Sequence, residues 1–355
     1  MSSEDQRGRR PAGKPTINDV ARLAGVSKKT VSRVINRSPL LNEEIRERVS
    51  AVIRDIGYSP NPQARALALR TNFLIGLIHD NPNAQIVLNV EQGMLEALHG
   101  TDYAMVVRPV DRCAPTLMED VRNFLERQRP YGVVILPPLS ENDSIAELCD
   151  ELGCRYVRMG SARLDDSDHL VASNDREAVA GAVGYLIAEG HRLIGFVAGP
   201  NGFRSAAERR LGFEDALAAA GIEPARSLVA EGRYTFESGL AAGETLLDLT
   251  PRPTAIFASN DEMAAGIVHA ARERGLLVPE DLSLIGFDDT PIASHIWPPL
   301  TTVRWPIVSM ARAAALKLLD NRDEAGPQAA APSLFLSRLV KRASVAAPPG
   351  PAATS

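Results

Sequence analysis

Residues 16–36 read TINDVARLAGVSKKTVSRVIN, and no other stretch limits the fold of this chain as tightly. The pattern predicts two short helices joined by a tight turn. Val20, Leu23 and Ala24 fall on one face of the first helix, Gly25 supplies the turn, and Val26 can fill the gap between the helices. Ser27 suits the N-cap of the second helix, whose apolar residues Val31, Val34 and Ile35 recur at helical spacing. Ala21, Ala24 and Gly25 are small enough for two helices to cross closely. This is a helix-turn-helix pattern. Its second helix offers Lys28, Lys29, Thr30, Ser32 and Arg33 on its outer side, where a DNA major groove would meet them. A surface hairpin with a solvated basic face satisfies the same periodicity, so the pattern alone leaves both readings open.

The charge balance looks wrong for a DNA binder until it is divided. The 355 residues carry a net charge of −5. Residues 1–71 hold 14 Lys/Arg and 7 Asp/Glu, giving +7, and the remainder holds 25 and 37, giving −12. A basic head on an acidic body puts the phosphate attraction at one end. Residues 1–15 are expected to be a disordered polar arm, with Arg7, Arg9, Arg10 and Lys14 either touching phosphate or simply solvated. The arm has no apolar core of a secretory signal, and no apolar run approaches the roughly 20 residues of a membrane span. Cytoplasmic location without membrane contact is therefore expected. Cys113, Cys149 and Cys154 show no metal-ligand spacing and are expected to be buried free thiols. His99, His169, His269 and His295 have no partners at useful spacing, and no metal or cofactor is expected.

The residues themselves go further than the pattern. Thr16-Ile17-Asn18-Asp19-Val20-Ala21, Ala24-Gly25-Val26-Ser27 and Thr30-Val31-Ser32-Arg33-Val34-Ile35-Asn36 closely resemble the headpiece of the lactose-repressor (LacI/GalR) family of bacterial transcription regulators. The resemblance implies that Thr16, Ser27, Lys28, Lys29, Thr30, Ser32, Arg33 and Asn36 face DNA. A third helix, capped by Asn42 and ended by Gly57, completes the headpiece over 16–59 through Ile45, Val49, Val52, Ile53 and Ile56.

Residues 60–72 read as a linker that can become a short helix, with Asn61 as N-cap and Pro62 as first helical residue. About seven further residues are too few for a stable isolated helix. The segment resembles the family's hinge helix, including Ala64-Arg65-x-Leu67. In that family paired hinge helices enter the minor groove and a leucine, matched here by Leu67, wedges into the central base step. Docking of Leu67 onto the body is the alternative reading.

From residue 73 the pattern becomes α/β. Strands are expected at 73–78, 103–107, 132–136, 155–159, 193–197, 255–257 and 282–287. Helices are expected at 86–99, 117–128, 144–152, 176–189, 209–220, 236–247, 261–274 and 308–320. Such alternation predicts parallel sheets, and the number of units predicts two doubly wound lobes facing across a cleft. The same region resembles the family's periplasmic-binding-protein-like core. That resemblance places one lobe at about 73–172 and 305–331 and the other at about 174–302 and 334–345. It implies three crossings, near 172–174, 301–305 and 331–334. The tail, 346–355, is rich in Pro and Ala and is expected to be disordered. It has no leucine heptads, which favours a homodimer over a four-chain assembly.

Ligands of open parallel sheets bind beyond the carboxyl ends of the strands. There the chain carries His79-Asp80-Asn81-Pro82-Asn83, Ala258-Ser259-Asn260-Asp261-Glu262, Gly286-Phe287-Asp288-Asp289-Thr290, Arg209-x-x-Gly212-Phe213 and Gly232-Arg233-Tyr234-Thr235. These segments resemble the family's effector pocket, with Asp80, Arg209, Tyr234, Asn260 and Asp288 at matching positions. Asn174-Asp175 resembles a further segment in reversed order, which puts Asp175 in the set. Trp305 stands where relatives often carry Gln, and could line the cleft or fill the crossing. A carboxylate accepting paired hydroxyls, a guanidinium fork and an aromatic face suit a small polyol. Helix caps and turn contacts are the plainer roles for the same acids.

No GxGxxG, Walker loop or GxSxG elbow is present, and no catalytic constellation assembles. The expected function is a homodimeric repressor binding a pseudo-palindromic double-stranded operator under control of a small effector, a sugar or sugar derivative. A corepressor in place of an inducer, a sugar-binding protein without operator activity, and an α/β enzyme are the alternatives.

Overall fold

The computed structural model describes residues 15–35, 41–58, 72–81, 83–162, 164–223, 225, 228–320 and 332–349. The arm up to residue 14, Asn36, the hinge residues Asn61, Ala64, Arg65 and Leu67, and the end of the tail lie outside them. The chain divides into two compact units at Phe73.

The first unit is a three-helix cluster: α1 (Ile17–Ala24), α2 (Lys28–Ile35) and α3 (Glu43–Ile56). Thr16 starts α1, its backbone N–H and its hydroxyl both donating to Asp19 Oδ2, at 3.0 and 2.7 Å. Gly25 ends it at φ +64°, a left-handed turn that a side chain would strain. Ser27 Oγ accepts the Thr30 N–H at 3.1 Å and so caps α2 as expected. Asn42 and Gly57 bound α3. The core is Val20, Ala21, Ala24, Val31, Val34 and Val49. Leu23 is not part of it: it is 45% exposed. The buried stripe of α1 runs through 17, 20, 21 and 24, and position 23 falls on its flank.

The second unit holds two sheets with the same winding. The first uses β1 (Leu74–His79), β2 (Ala104–Pro109), β3 (Gly132–Ile135), β4 (Arg155–Gly160), β5 (Leu170–Ser173) and β11 (Leu334–Phe335), in the order β11-β5-β4-β3-β1-β2. The second uses β6 (Ile194–Val197), β7 (Val229–Ala230), β8 (Ala255–Ala258), β9 (Ser283–Asp288), β10 (Thr301–Arg304) and β12 (Arg338–Val340), in the order β12-β10-β9-β8-β6-β7. Among the described residues only β12 runs antiparallel to its neighbour.

Helices cover both faces of each sheet, so the strands read as unbroken apolar runs. In the first lobe, Ile75 and Leu77 pack with Val90 and Met94 of α4 (Ala84–Leu98) and with Met310 and Ala314 of α12 (Ile307–Leu319). Ile78, Val133 and Ile135 pack oppositely, against α5 (Leu117–Gln128) and α6 (Asp143–Glu151). In the second lobe, Phe196, Phe257 and Phe287 pack against α7 (Asp175–Ala188) and α8 (Arg204–Ala219). Val197, Ile256 and Leu284 face α9 (Phe236–Leu247) and α10 (Asp261–Glu273). A short α11 (Pro291–His295) follows β9.

The crossings fall at Asn174, at Trp305–Pro306 and at Leu336–Ser337. The third comes later than 331–334, because Leu334 pairs with Ala172 and keeps β11 in the first sheet. The crossings are bonded together: Ser337 N–H donates to Asn174 Oδ1 at 2.8 Å, and Trp305 Nε1 donates to Ser173 Oγ at 3.1 Å. Residue 346 is not loose as expected. The Ala346 carbonyl accepts from Ser283 Oγ at 2.9 Å and lies 2.8 Å from His191 Nε2. The three cysteines are free thiols, but Cys113 is exposed, in the loop after β2, rather than buried.

Candidate functional site

Between the lobes lies a cavity of about 180 Å³. The carboxyl ends of both sheets point into it, and each of the strands β1 to β10 delivers a residue to its wall. From the first sheet come Asn81, Arg112, Pro137 and Ser161, after β1, β2, β3 and β4. Asp175 follows β5 as the first residue of α7. From the second come Pro200, Tyr234, Asn260, Asp288 and Trp305, at or after β6, β7, β8, β9 and β10. Ser205 and Arg209 join them from one face of α8, which starts five residues earlier than expected and so carries Arg209 on its second turn.

Arg209 is the centre of the wall. Its Nε donates to Asp175 Oδ2 at 2.9 Å and its Nη1 to the Ser259 carbonyl at 2.6 Å. Its Nη2 stands 4.0 Å from Asp288 Oδ1, and the guanidinium lies 3.5 Å over the Phe287 ring. The Arg209 and Asp175 side chains are only 6% and 1% exposed. Burial works against the guanidinium charge, but the Asp175 carboxylate beside it outweighs that, and the pKa of Arg209 rises. Asp175 is itself held by Ser173 Oγ at 2.6 Å.

Asp288 is different. Its side chain is 8% exposed, and among the described residues its nearest cation is the distant arm of Arg209. Burial pushes its carboxyl well above the usual range, and Asp261, Asp175 and Glu262 push the same way, while Arg209 opposes them. Its backbone sits at φ +105°. The neighbouring Asp289 is fully engaged, by Arg304 and by Arg342, each at 2.6 Å. Asp261 is raised to about 7 by burial, against hydrogen bonds from Thr302 and Thr290.

Tyr234 has φ +62° and lies beside Gly199, where a Cβ would overlap its hydroxyl. Ser205 stands near that hydroxyl without forming a bond of good geometry, so the phenol is buried and unpartnered. The Ser161 hydroxyl, across the cleft, is also buried without a partner. Asn260 has less to offer a ligand than expected: its Oδ1 caps α10 at Met263 N–H, 2.9 Å, and its Nδ2 donates to the Tyr234 carbonyl, 3.0 Å. Trp305 both lines the cavity and ties the crossing through Ser173.

Asp80 does not line the cavity. Its Oδ2 accepts from Arg112 Nη1 at 2.9 Å and from the Arg112 N–H at 3.3 Å, so it holds the residue that does. Arg112, Ser161, Phe203 and Arg233 were not singled out from sequence. Ser161 adjoins an expected strand end; Arg112, Phe203 and Arg233 sit in loops with no periodicity to mark them. One inter-lobe bond closes the rim: Glu141, in the turn after β3, accepts the Arg204 N–H that starts α8 at 2.9 Å.

The cavity can bind a ligand, and among the described residues no nucleophile in its wall is paired with a base. Away from it, His169 Nδ1 lies 3.7 Å from Asp166 and 3.9 Å from Asp165, with its ring stacked on Tyr156. On the headpiece, Lys28, Lys29 and Arg33 are exposed on α2, Ser32 is half-buried, and the hydroxyls of Ser27 and Thr30 lie 2.9 Å apart at its start. Thr16 spends its hydroxyl on Asp19. Among the described residues no helix is long and apolar enough to cross a membrane.

Residues 16–61 match the family model of bacterial regulatory proteins, lacI family, and residues 183–345 match that of a periplasmic binding protein-like domain. The chain is 33% identical to the probable HTH-type transcriptional repressor ExuR of Bacillus subtilis, over 86% of this chain and 91% of that one. It is 35% identical to the HTH-type transcriptional regulator CelR of Thermobifida fusca, over 86% and 92%. Among solved structures, the lac repressor dimer bound to operator and an anti-inducer superposes with a TM-score of 0.76 at 29% identity, over 94% of this chain and all of that one. A CelR–cellobiose complex gives 0.69 at 31%, over 93% and all of it. A helix-turn-helix headpiece, two parallel-sheet lobes and these relatives agree: the chain belongs to the lacI family of bacterial regulatory proteins, and is a DNA-binding transcriptional regulator rather than an enzyme.

Proposed function

We propose that the chain is a cytoplasmic homodimeric repressor whose grip on its operator is released by a small sugar bound between the lobes. The observation that carries this is the pair of orphaned hydroxyls, Ser161 and Tyr234, around the under-partnered Asp288 carboxylate. A buried polar group without a partner costs about 1–3 kcal/mol, so a cavity lined with them favours a ligand that supplies several hydroxyls at once. Tyr234 and Trp305 add ring faces for its C–H surface. Ser161 belongs to one lobe, and Tyr234 and Asp288 to the other. A ligand bonded to both therefore has a different affinity for open and closed lobes, which is what coupling to DNA requires. The sugar reading also agrees with the cellobiose bound in the CelR relative.

At the other end, Lys28, Lys29 and Arg33 read base edges, and Leu67 acts as the minor-groove wedge. Arg33→Ala is expected to cost about 1–3 kcal/mol at the operator and much less on random DNA. The test of the whole reading is a thermal-shift screen of sugars, then operator binding by fluorescence anisotropy with each hit. Release of DNA by a stabilising sugar supports it. Tighter DNA binding would make the ligand a corepressor, and a hit with no effect on DNA would separate the cleft from regulation.

A further inference from the structure

Outside the Arg209 pair, the cavity wall carries two more guanidiniums, one from each lobe. Arg112 comes from the loop after β2 and Arg233 from the loop after β7. Both are exposed at the rim. Arg112 lies 4.6 Å over Phe203, whose ring is 6.2 Å from that of Tyr234, and Arg233 lines the same cavity as all three. Arg112 gives one nitrogen to Asp80. Arg233 has no acidic partner among the described residues, and its only bond to a side chain is from its backbone N–H to Ser238 Oγ.

The charges around the cavity then sort themselves. Asp80 answers Arg112, and Asp175 answers Arg209. What remains is one acid deep in the wall, Asp288, and one cation at the rim, Arg233. The free groups are mostly donors: the Arg233 fork, the rest of the Arg112 fork, and the Tyr234 and Ser161 hydroxyls. A neutral polyol brings as many donors as acceptors and leaves the rim cation facing water. A ring with hydroxyls at one end and an anionic group at the other matches both ends. The cavity, about 180 Å³, lies below the roughly 300–1,000 Å³ usual for drug-sized ligands, which favours a small one such as a single sugar ring.

We propose that the cleft selects an anionic monosaccharide, its hydroxyls toward Asp288 and its carboxylate or phosphate between Arg112 and Arg233. This rests on the reading of the cleft as the effector site. An anion shared by one guanidinium from each lobe bonds fully only when the lobes are together, so the charged group supplies the closing force and the hydroxyls the orientation.

The test is calorimetric binding to the full-length protein at physiological ionic strength. The probes are glucuronate, galacturonate, glucose and galactose phosphates, the neutral parent hexoses, and inorganic phosphate. The proposal expects one anionic sugar to bind roughly 10- to 100-fold more tightly than its neutral parent. Whether the uronates or the phosphates do so identifies the anion. Arg233→Gln should erase that advantage, Arg112→Gln should reduce it, and Arg233→Lys should keep most of it. A neutral hexose binding as well as its anion, or an anion indifferent to both glutamine variants, overturns the proposal and leaves the sugar-effector reading standing. Inorganic phosphate binding as tightly as the sugar phosphates overturns it too, since charge alone would then suffice. If nothing in the panel binds, this proposal falls, and a neutral-disaccharide response in the thermal screen decides whether the sugar reading falls with it.

Discussion

The two lobes share a strand order but treat the cavity between them differently. The second lobe meets it with a buried wall in which Asp175, Arg209 and Asn260 are bonded to one another or to the backbone, with Asp288 standing 4.0 Å from Arg209. The first lobe meets it with Asn81, Ile86, two prolines, Gly160 and one orphaned serine, and keeps its one cation at the rim. The same winding places strand ends in both, so the difference lies in what those ends carry. The second lobe is built as an anchor, organised before any ligand arrives. The first is built as a cover, whose contribution depends on closing. Three substitutions probe that division, in falling order of expected effect.

Asp175→Ala attacks the anchor at its centre. It leaves the Arg209 guanidinium buried without its closest acid, and breaking a buried pair from one side costs about 3–5 kcal/mol. The urea midpoint of the second unit should fall accordingly. Adding Arg209→Met should restore much of the loss, because no orphaned charge then remains. A loss under about 1 kcal/mol in the single variant would mean that water relieves the charge, and that the anchor is no more rigid than the cover.

Asp288→Asn should move stability and binding in opposite directions. Burial holds the Asp288 carboxyl well above its ordinary value of 3.8. The folded protein therefore binds a proton more readily than the unfolded chain, and stability falls as pH rises from the ordinary carboxylate range through the raised pKa. Asp261, at about 7, adds a loss of the same sign. Asparagine tolerates a positive φ and has no charge to bury. At pH 8 the variant should unfold at a higher temperature than the parent, and its melting should depend less on pH. Effector affinity should drop roughly 10- to 100-fold with the charge-assisted bonds. A variant that loses stability and keeps affinity would make Asp288 a turn residue.

The anchor was far more legible in sequence than the cover. Arg209, Asn260 and Asp288 follow or face strands whose apolar runs stand out, whereas Asp175, Tyr234 and Trp305 follow short strands without such runs and came from the family resemblance; all six line the cavity. The runs were readable because both faces of each sheet are covered. Asp80 was placed one step wrong because its partner lies 32 residues away, in a loop with no period. β5 and β10 were missed as short strands, four residues each, set beside turns. The docking of Ala346 on His191 spans 155 residues and leaves no local mark. Arg112 was invisible for a related reason: it sits where the chain is irregular.

The smallest expected effect tests the cover directly. Glu141 reaches across the rim and accepts the first N–H of α8 at 2.9 Å. Burial pushes its carboxyl up, while the N–H groups of Arg204 and Ser205 pull it back toward the charged form. A carboxylate at a helix N-terminus is worth about 0.3–2 kcal/mol, depending on burial. This one joins the lobes, so that energy belongs to the closed state alone and controls how long a ligand is held. Glu141→Ala should speed effector release about 2- to 30-fold, with little change in the unliganded urea midpoint. Glu141→Gln keeps an acceptor without the charge and should fall between. Trp305 lines the cavity, so stopped-flow tryptophan fluorescence can follow the release. Release in the parent should also quicken as pH falls and the raised Glu141 carboxyl takes up its proton. If Glu141→Ala releases ligand no faster, the first lobe does not hold its ligand through this contact. The division into anchor and cover would then rest on the rim guanidiniums alone.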